Sequence, residues 1–475
     1  MAETLTPDIC VIGAGSGGLT VAAAAASFGV SVVLIEKGRM GGDCLNYGCV
    51  PSKALLAAAK QAQAMRTGAK FGVTPVEPQV NFKSVMAHVK SVIASIAPND
   101  SVERFTALGV RVIQAEGKFT NKRTVVAGGI TIKARRFVVA TGSSAFIPPI
   151  PGLDQVDFLT NENIFEEEKL PGHLVIIGGG PIGMEMAQAH RRLGAKVTVI
   201  EAFAALGKDD PETAAVVLAA LRAEGIRILD NTKVVSVEGR GKTGVRVNVE
   251  GQNGAAAVDG TRLLVAAGRS ANVNGLDLEK ARIAYDRRGI KTGPNLKSSN
   301  RRVYAIGDVA GSLQFTHMAG YHAGLVIRSI LFRLPVRENR AIIPWATFTE
   351  PELAQAGLTE AEVKKSGKLF HVLRWPFAEN DRAEAEHKTA GLIKIVTDNK
   401  GKILGVSIGG HGAGEMINMW ALALSKGMNV RDIAGYVAPY PTMTEAGKRA
   451  AITYFAPLAR SPRLRKLIGF LRMFG

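Results

Sequence analysis

DICVIGAGSGGL (residues 8–19) returns further along the chain as HLVIIGGGPIGM (residues 173–184). In each copy an apolar run leads into three glycines, Gly13, Gly15 and Gly18 in the first and Gly178, Gly180 and Gly183 in the second. A helix-forming stretch follows, then a second apolar run, SVVLI closed by Glu36 and VTVI closed by Glu201. All four positions shift by the same 165 residues (13 to 178, 15 to 180, 18 to 183, 36 to 201). A lone G-x-G-x-x-G carries little weight. Two copies, each between strand and helix and each followed by an acid about 20 residues on, carry much more. The first glycine permits a tight turn, the second lets backbone approach a pyrophosphate, and the third lets helix pack on strand. The pyrophosphate then sits against the helix N-terminus, and the closing carboxylate accepts from a ribose diol. The repeat therefore predicts two bound dinucleotides on an α/β scaffold. Glu201 stands where a 2′-phosphate would have to fit, with no Arg in the next several positions, which favours NADH over NADPH at the second site, NADPH remaining possible.

Around this repeat, 475 residues suggest about three domains. Hydrophobic content of 47% with 53 glycines fits a packed, turn-rich α/β protein. The N-terminus has no basic flank and no long apolar run, so no secretory signal is expected, and the cytoplasm is the expected compartment. The most apolar early stretch, Leu19 to Ile35, is interrupted by Ser27, Gly29 and Ser31 and reads as helix, turn and strand rather than a membrane span. Net charge is +18, scattered in pairs such as Arg135 and Arg136 or Arg191 and Arg192 apart from a C-terminal cluster. No nucleic-acid module accompanies it, so the charge reads as solubility plus attraction for anionic ligands such as nucleotides.

Three cysteines exclude a disulfide scaffold. Two of them lie in GGDCLNYGCVPSK (residues 41–53), and Cys44 and Cys49 are five residues apart. In a regular helix their Cα atoms would be roughly 8 to 9 Å apart, beyond the reach of a disulfide. The turn must be distorted, and Gly48 is the residue that tolerates it. Pro51 suits an early helical position, and a thiolate near that helix start is stabilised by the dipole. Lys53 follows Cys49 by one turn on the same face. A zinc site would need two more Cys or His nearby in a paired arrangement, which are absent, so no metal is expected. Cys10, inside the first predicted strand, reads as buried and inert.

With these motifs in place, the whole chain resembles the class I pyridine nucleotide-disulfide oxidoreductases, which include dihydrolipoamide dehydrogenase, glutathione reductase and mercuric reductase. GGDCLNYGCVPSK is similar to that family's redox motif, with Asp43 where Thr is commoner. The resemblance implies FAD at the first glycine motif and NAD(P)H at the second. It implies that Cys49 lies against the flavin, that Cys44 is the exchange thiol, and that Lys53 sits near the flavin and pairs with Glu185. FVVATG supplies Thr141 and Gly142, LLVAAGR supplies Gly268 and Arg269, VYAIGDVAG supplies Asp308, and FTHMAG supplies His317 and Ala319. By the same resemblance Lys37, Gly42, Asp43 and Gly117 join the FAD site, and Gly268 the nicotinamide nucleotide site. The implied fold is two Rossmann-like dinucleotide-binding domains plus a C-terminal α+β dimerisation domain. The expected limits are 1–150 for the first FAD segment, 151–275 for the NAD(P)H domain, 276–343 for the second FAD segment and 344–475 for the interface domain. WATFTEPELAQAGLT (residues 345–359) resembles that last domain's opening, and a homodimer is implied.

The family's thiol-substrate members carry a histidine base near the C-terminus, delivered from the partner subunit. Here the stretch reads PYPTMTEAGKRA (residues 439–450), with Tyr440 at the histidine position and Glu445 as the orienting acid. An ordinary tyrosine is a poor base at neutral pH. Mercuric reductases also have Tyr there, but they end in a vicinal cysteine pair that this chain lacks. The expected function is a flavoprotein disulfide reductase passing hydride to an external acceptor, mercuric reductase-like. The alternatives are a lipoamide or glutathione type of thiol enzyme, and a redox-sensing flavoprotein with little turnover. Finally, Leu464, Leu467, Ile468 and Leu471 recur at helical spacing among Arg463, Lys466 and Arg472. Such a tail reads as a last helix packed on its own domain, or as a basic amphipathic helix for an anionic membrane or acidic partner.

Overall fold

The apolar runs that flank the glycines are buried on both faces, as strands sandwiched between helices must be. A computed structural model describes all residues except Met1, Ala2, Thr243, Asn253 and Ser312. In it Ile9, Cys10 and Val11 have no exposed surface, and neither do Leu174, Val175 and Ile176. The first run forms strand β1 (Ile9–Ile12), followed by α1 (Ser16–Ser27) and β2 (Val32–Glu36). The redox motif then forms α2 (Gly42–Asn46) and α3 (Cys49–Arg66). With β3 (Val110–Gln114) and β4 (Arg136–Val139) the sheet continues on either side of the first pair.

The second copy forms β5 (His173–Ile177), α4 (Pro181–Arg192) and β6 (Lys196–Ile200), extended by β7 (Arg227–Leu229) and β8 (Arg262–Val265). These four strands pair in the order β7-β6-β5-β8, all parallel. The chain then returns to the first sheet, where β9 (Val303–Ala305) pairs parallel with β4. The first sheet thus has the order β9-β4-β1-β2-β3 and is built from two separate stretches of sequence. Helix α5 (Thr316–Leu331) packs on α1, where a Cβ on Gly17 would come within 3.2 Å of the Ala319 Cβ. The close crossing brings the start of α5 beside the first glycine loop.

The C-terminal part is a five-stranded antiparallel sheet of β10 (Pro344–Thr347), β11 (Glu352–Gly357), β12 (Phe370–Pro376), β13 (Leu392–Asp398) and β14 (Ile403–Gly410), in the order β10-β11-β14-β13-β12. Helices α6 (Ala413–Lys426) and α7 (Glu445–Thr453) cover it, with Trp420 fully buried between them and the sheet. The last helix, α8 (Pro462–Leu471), buries none of its residues. That overturns the reading of this segment as a helix packed on its own domain. No helix among the described residues is long and apolar enough to cross a membrane.

A buried ionic cluster locks the C-terminal sheet to the second Rossmann unit. Lys394 on β13 is 2% exposed and reaches Asp210 at 2.8 Å, Glu212 at 2.7 Å and Glu360 at 2.6 Å. A second set joins Arg192 of α4 to Glu224 and Glu350, with Lys388 on the same Glu350. Removing one member of such a cluster strands buried charge, which costs about 3–5 kcal/mol. Lys394→Met should therefore lower the urea midpoint by an amount corresponding to that loss. Replacing the exposed Lys280, paired with Asp277, should leave the midpoint nearly unchanged.

Candidate active site

The two glycine loops repeat in geometry as well as in letters. Gly13 has φ +105° and Gly178 φ +116°, and a Cβ at either would strike a carbonyl, Ala140 O at 2.4 Å or Ala266 O at 2.3 Å. A Cβ on Gly18 would lie 1.9 Å from Gly13 O, and one on Gly183 would lie 2.0 Å from Gly178 O, so only glycine lets these helices pack against their loops. Gly15 and Gly180 differ: nothing comes nearer than 3.9 Å at the first, and nothing lies within 4 Å at the second. No protein atom demands a glycine at these two positions. Both line the cleft, where a side chain would take ligand space. No side chain caps the N-terminus of α1 or of α4, which leaves their first-turn N–H groups suited to an anion.

The closing acids repeat too. Glu36 accepts from the N–H groups of Ala14 (2.6 Å) and Gly38 (2.7 Å). Glu201 accepts from those of Gly179 (2.7 Å) and Phe203 (3.0 Å), each again 165 residues on (14 to 179, 38 to 203). These bonds fix each carboxylate at its strand end, where a ribose diol would approach. The protein atoms present thus fit two dinucleotides.

Between the cradles lies the cysteine pair. Cys44 belongs to α2 and Cys49 is the first residue of α3, so the helix breaks between them as their spacing requires. Gly48 has φ −126°, so it is needed for close approach rather than for left-handed backbone. A Cβ there would sit 2.9 Å from Asp43 Oδ2 and 3.1 Å from Asp43 O. The left-handed turns are taken by Gly41 (φ +87°) and Gly42 (φ +59°). Both cysteines are free thiols in this structure. The Cys44 thiol hydrogen-bonds Cys49, and this, with the Thr316 hydroxyl 3.2 Å away and the charge of Lys53, outweighs burial and lowers Cys49 to about 6. The same contact, together with burial, holds Cys44 far above the ordinary thiol range. One sulfur is thus set to be a thiolate near neutral pH while the other keeps its proton.

Lys53 Nζ donates to Glu185 Oε2 at 2.8 Å and lies 4.5 Å from the centre of the Phe348 ring. Glu185, on α4, is 4% exposed and accepts from the Phe348 N–H through its other oxygen at 2.9 Å. Asp43 pairs with Arg269 at 3.0 Å and accepts from Asn161 at 2.9 Å. Arg269 donates to Ser143 (2.7 Å), and Ser143 donates to Asp308 (2.5 Å). Burial raises the Asp308 carboxyl above its usual range, against the pull of Ser143 and Arg269. Thr141 and Asn272 exchange hydrogen bonds (2.7 and 3.0 Å), tying the two connections between the Rossmann units together. His317 bonds the Pro344 carbonyl at 2.7 Å and stacks on Phe315.

One continuous cleft of about 1990 Å³ takes in nearly all of these residues. Most single-ligand pockets measure about 300–1,000 Å³, so this volume suits two nucleotides better than one. It is lined by Gly13, Gly15, Glu36, Lys37, Gly42, Asp43, Cys44, Cys49, Lys53, Gly117, Thr141 and Gly142 from the first part of the chain. Gly178, Gly180, Glu185, Glu201, Gly268, Asp308, His317 and Ala319 complete the set. Gly18 and Gly183 lie behind it, as packing glycines should. Tyr440 and Glu445 do not line it. Tyr440 is 69% exposed, and its hydroxyl donates to Asp381 at 2.7 Å, which raises it above the usual tyrosine range. Glu445 sits in the first turn of α7, 3.7 Å from Arg449. Asp381 is thus the acid hydrogen-bonded to Tyr440, while Glu445 acts on it through its charge. Thr316 and Phe348 were not foreseen. Thr316 stands beside the His317 motif, and its position at the start of α5 is the signal that could have identified it.

Comparison with known proteins agrees with this geometry. Residues 7–323 match the family model described as pyridine nucleotide-disulphide oxidoreductase, and residues 343–451 match the dimerisation domain of the same family. The chain is 34% identical to a mercuric reductase from Streptomyces lividans, over 95% of this chain and 97% of that protein. It is equally 34% identical to a dihydrolipoyl dehydrogenase from Thermus scotoductus, over 94% and 97%. Among solved structures, the HOCl-induced flavoprotein disulfide reductase RclA from Escherichia coli, in its Cu(II) complex, superposes with a TM-score of 0.84 at 27% identity, covering 94% of this chain and 99% of that one. With both nucleotide cradles, the dithiol and the dimerisation domain in place, the chain belongs to the FAD-dependent, NAD(P)H-using pyridine nucleotide-disulphide oxidoreductases.

Proposed function

We propose that this enzyme uses NADH to reduce the Cys44–Cys49 disulfide and passes the electrons to a soft, thiol-binding acceptor, in the manner of a mercuric reductase. FAD, held at Gly13, Gly15, Glu36, Lys37, Gly42, Gly117, Thr141, Gly142, Asp308, His317 and Ala319, supplies the two-electron relay when bound. NADH takes the cradle of Gly178, Gly180, Glu201 and Gly268, where the Glu201 carboxylate would repel a 2′-phosphate. Two electrons and one proton open the disulfide to a thiolate at Cys49 and a thiol at Cys44. Lys53, held by Glu185, and Thr316 stabilise that thiolate. Cys44 is the sulfur that meets the acceptor.

The observation that carries this reading is the placement of the dithiol: Cys49 opens α3 with the Thr316 hydroxyl 3.2 Å away and the Lys53–Glu185 pair one turn on, in a cleft shared with both cradles. The acceptor class rests on Tyr440. Bound to Asp381 and raised above its ordinary range, it is no base for organic thiol exchange at neutral pH. Soft thiolates capture a soft metal ion without such a base. The dihydrolipoyl dehydrogenase relatives keep a thiol-substrate role as the second reading. We further propose a cytoplasmic homodimer whose basic tail contacts an anionic surface or an acidic partner.

Anaerobic NADH titration should develop a long-wavelength thiolate–flavin band. Cys49→Ser should abolish it with FAD still bound, and the wild-type band should fade as the pH drops through about 6, where Cys49 takes up its proton. Turnover should be measurable with Hg(II) and at least about tenfold slower with lipoamide or glutathione disulfide. The reverse order would establish the thiol-substrate reading, and no turnover with any acceptor would leave only a redox sensor. Glu201→Gln should cut the kcat/KM preference for NADH over NADPH by about tenfold, the weight of one charge-assisted hydrogen bond.

A further inference from the structure

From Ala446 to Gly475 the chain carries seven Lys and Arg residues and no Asp or Glu. Helix α8 lies within this segment and continues into a short 3-10 turn, Arg472–Phe474. Leu464, Leu467, Ile468 and Leu471 follow the i, i+3, i+4, i+7 pattern of one helix face, while Arg465, Lys466 and Arg472 fall on the others. Leu467, Ile468, Phe470, Leu471, Met473 and Phe474 are between 48 and 73% exposed. An apolar face of that size left open beside such a run of cations is rare on a protein surface without a partner.

We infer that α8 is an interfacial helix that docks the enzyme on an anionic lipid bilayer. This rests on the tail being a contact surface, as proposed above, and is independent of the identity of the electron acceptor. An acidic protein would satisfy the cations alone. A bilayer of anionic lipid takes both halves of the pattern: its headgroups meet Arg463, Arg465, Lys466 and Arg472, and its acyl boundary receives Leu464, Leu467, Ile468 and Leu471. A homodimer carries two such tails, and two short anchors on one particle bind far more tightly than either alone.

The test uses the full-length FAD-loaded enzyme with vesicles of phosphatidylcholine alone or with 30% phosphatidylglycerol. Cosedimentation should be at least tenfold greater with the anionic vesicles and should fall as salt is raised. Deleting residues 462–475, or Leu467→Asp with Leu471→Asp, should remove it while NADH oxidation stays unchanged. Hydrogen exchange in 462–475 should be fast in the free dimer and slow on vesicles. Binding to soluble polyglutamate without binding to anionic vesicles would overturn the lipid assignment and keep an acidic partner. Protection of 462–475 in the free dimer would assign the face to the second subunit and overturn the inference. Binding to neither probe would refute the contact surface as well.

Discussion

The pair between Lys53 and Glu185 is the interaction on which the site depends. Lys53 lies one turn after Cys49 on α3, and Glu185 lies in α4, the helix that opens from the second glycine loop. A single 2.8 Å contact, nearly buried at the glutamate end, thus joins the dithiol helix to the nucleotide-binding unit 132 residues away. Its second oxygen reaches the Phe348 N–H and draws in the C-terminal sheet. Three parts of the chain with separate sheets therefore meet at one carboxylate. With its glutamate buried and its lysine 39% exposed on the cleft, the pair fixes geometry and supplies positive potential beside the sulfur that has to be a thiolate.

The asymmetry of the cysteines follows from position rather than from any difference in the residues themselves. Cys49 opens a helix and has a lysine, a hydroxyl and a neighbouring thiol pointing at it. Cys44 lies in the preceding short helix, and the Asp43 carboxylate works against a thiolate at either sulfur. Asp43 is engaged by Arg269 and Asn161 and so links the redox motif to the chain that leaves and re-enters the nucleotide unit. Its carboxylate places negative charge near the sulfurs, and Arg269 pairs with it.

Much of this was legible in the letters because the constraints are local. A glycine whose Cβ would strike a carbonyl 1.9 Å away, as at Gly18, leaves a mark in sequence that spacing reveals. The 165-residue repeat even carried the backbone contacts of Glu36 and Glu201. The break between Cys44 and Cys49 was forced by helix geometry alone. Contacts made across sheets left no such mark: nothing near Phe348 or Asp381 in the chain announces its partner. The tail was ambiguous for the same reason, since helical spacing shows that a face is apolar but not what covers it.

The central claim is that a flavin lies between a nicotinamide on one side and the Cys44–Cys49 pair on the other. The direct measurement is a crystal structure of the enzyme with FAD and NAD⁺ bound. Cys49 Sγ should lie in van der Waals contact with the isoalloxazine ring, at about 3.5–4 Å, with the nicotinamide stacked on the opposite face. A flavin ring lying beyond any contact with Cys49, or a nicotinamide on the same face as the sulfurs, would contradict it.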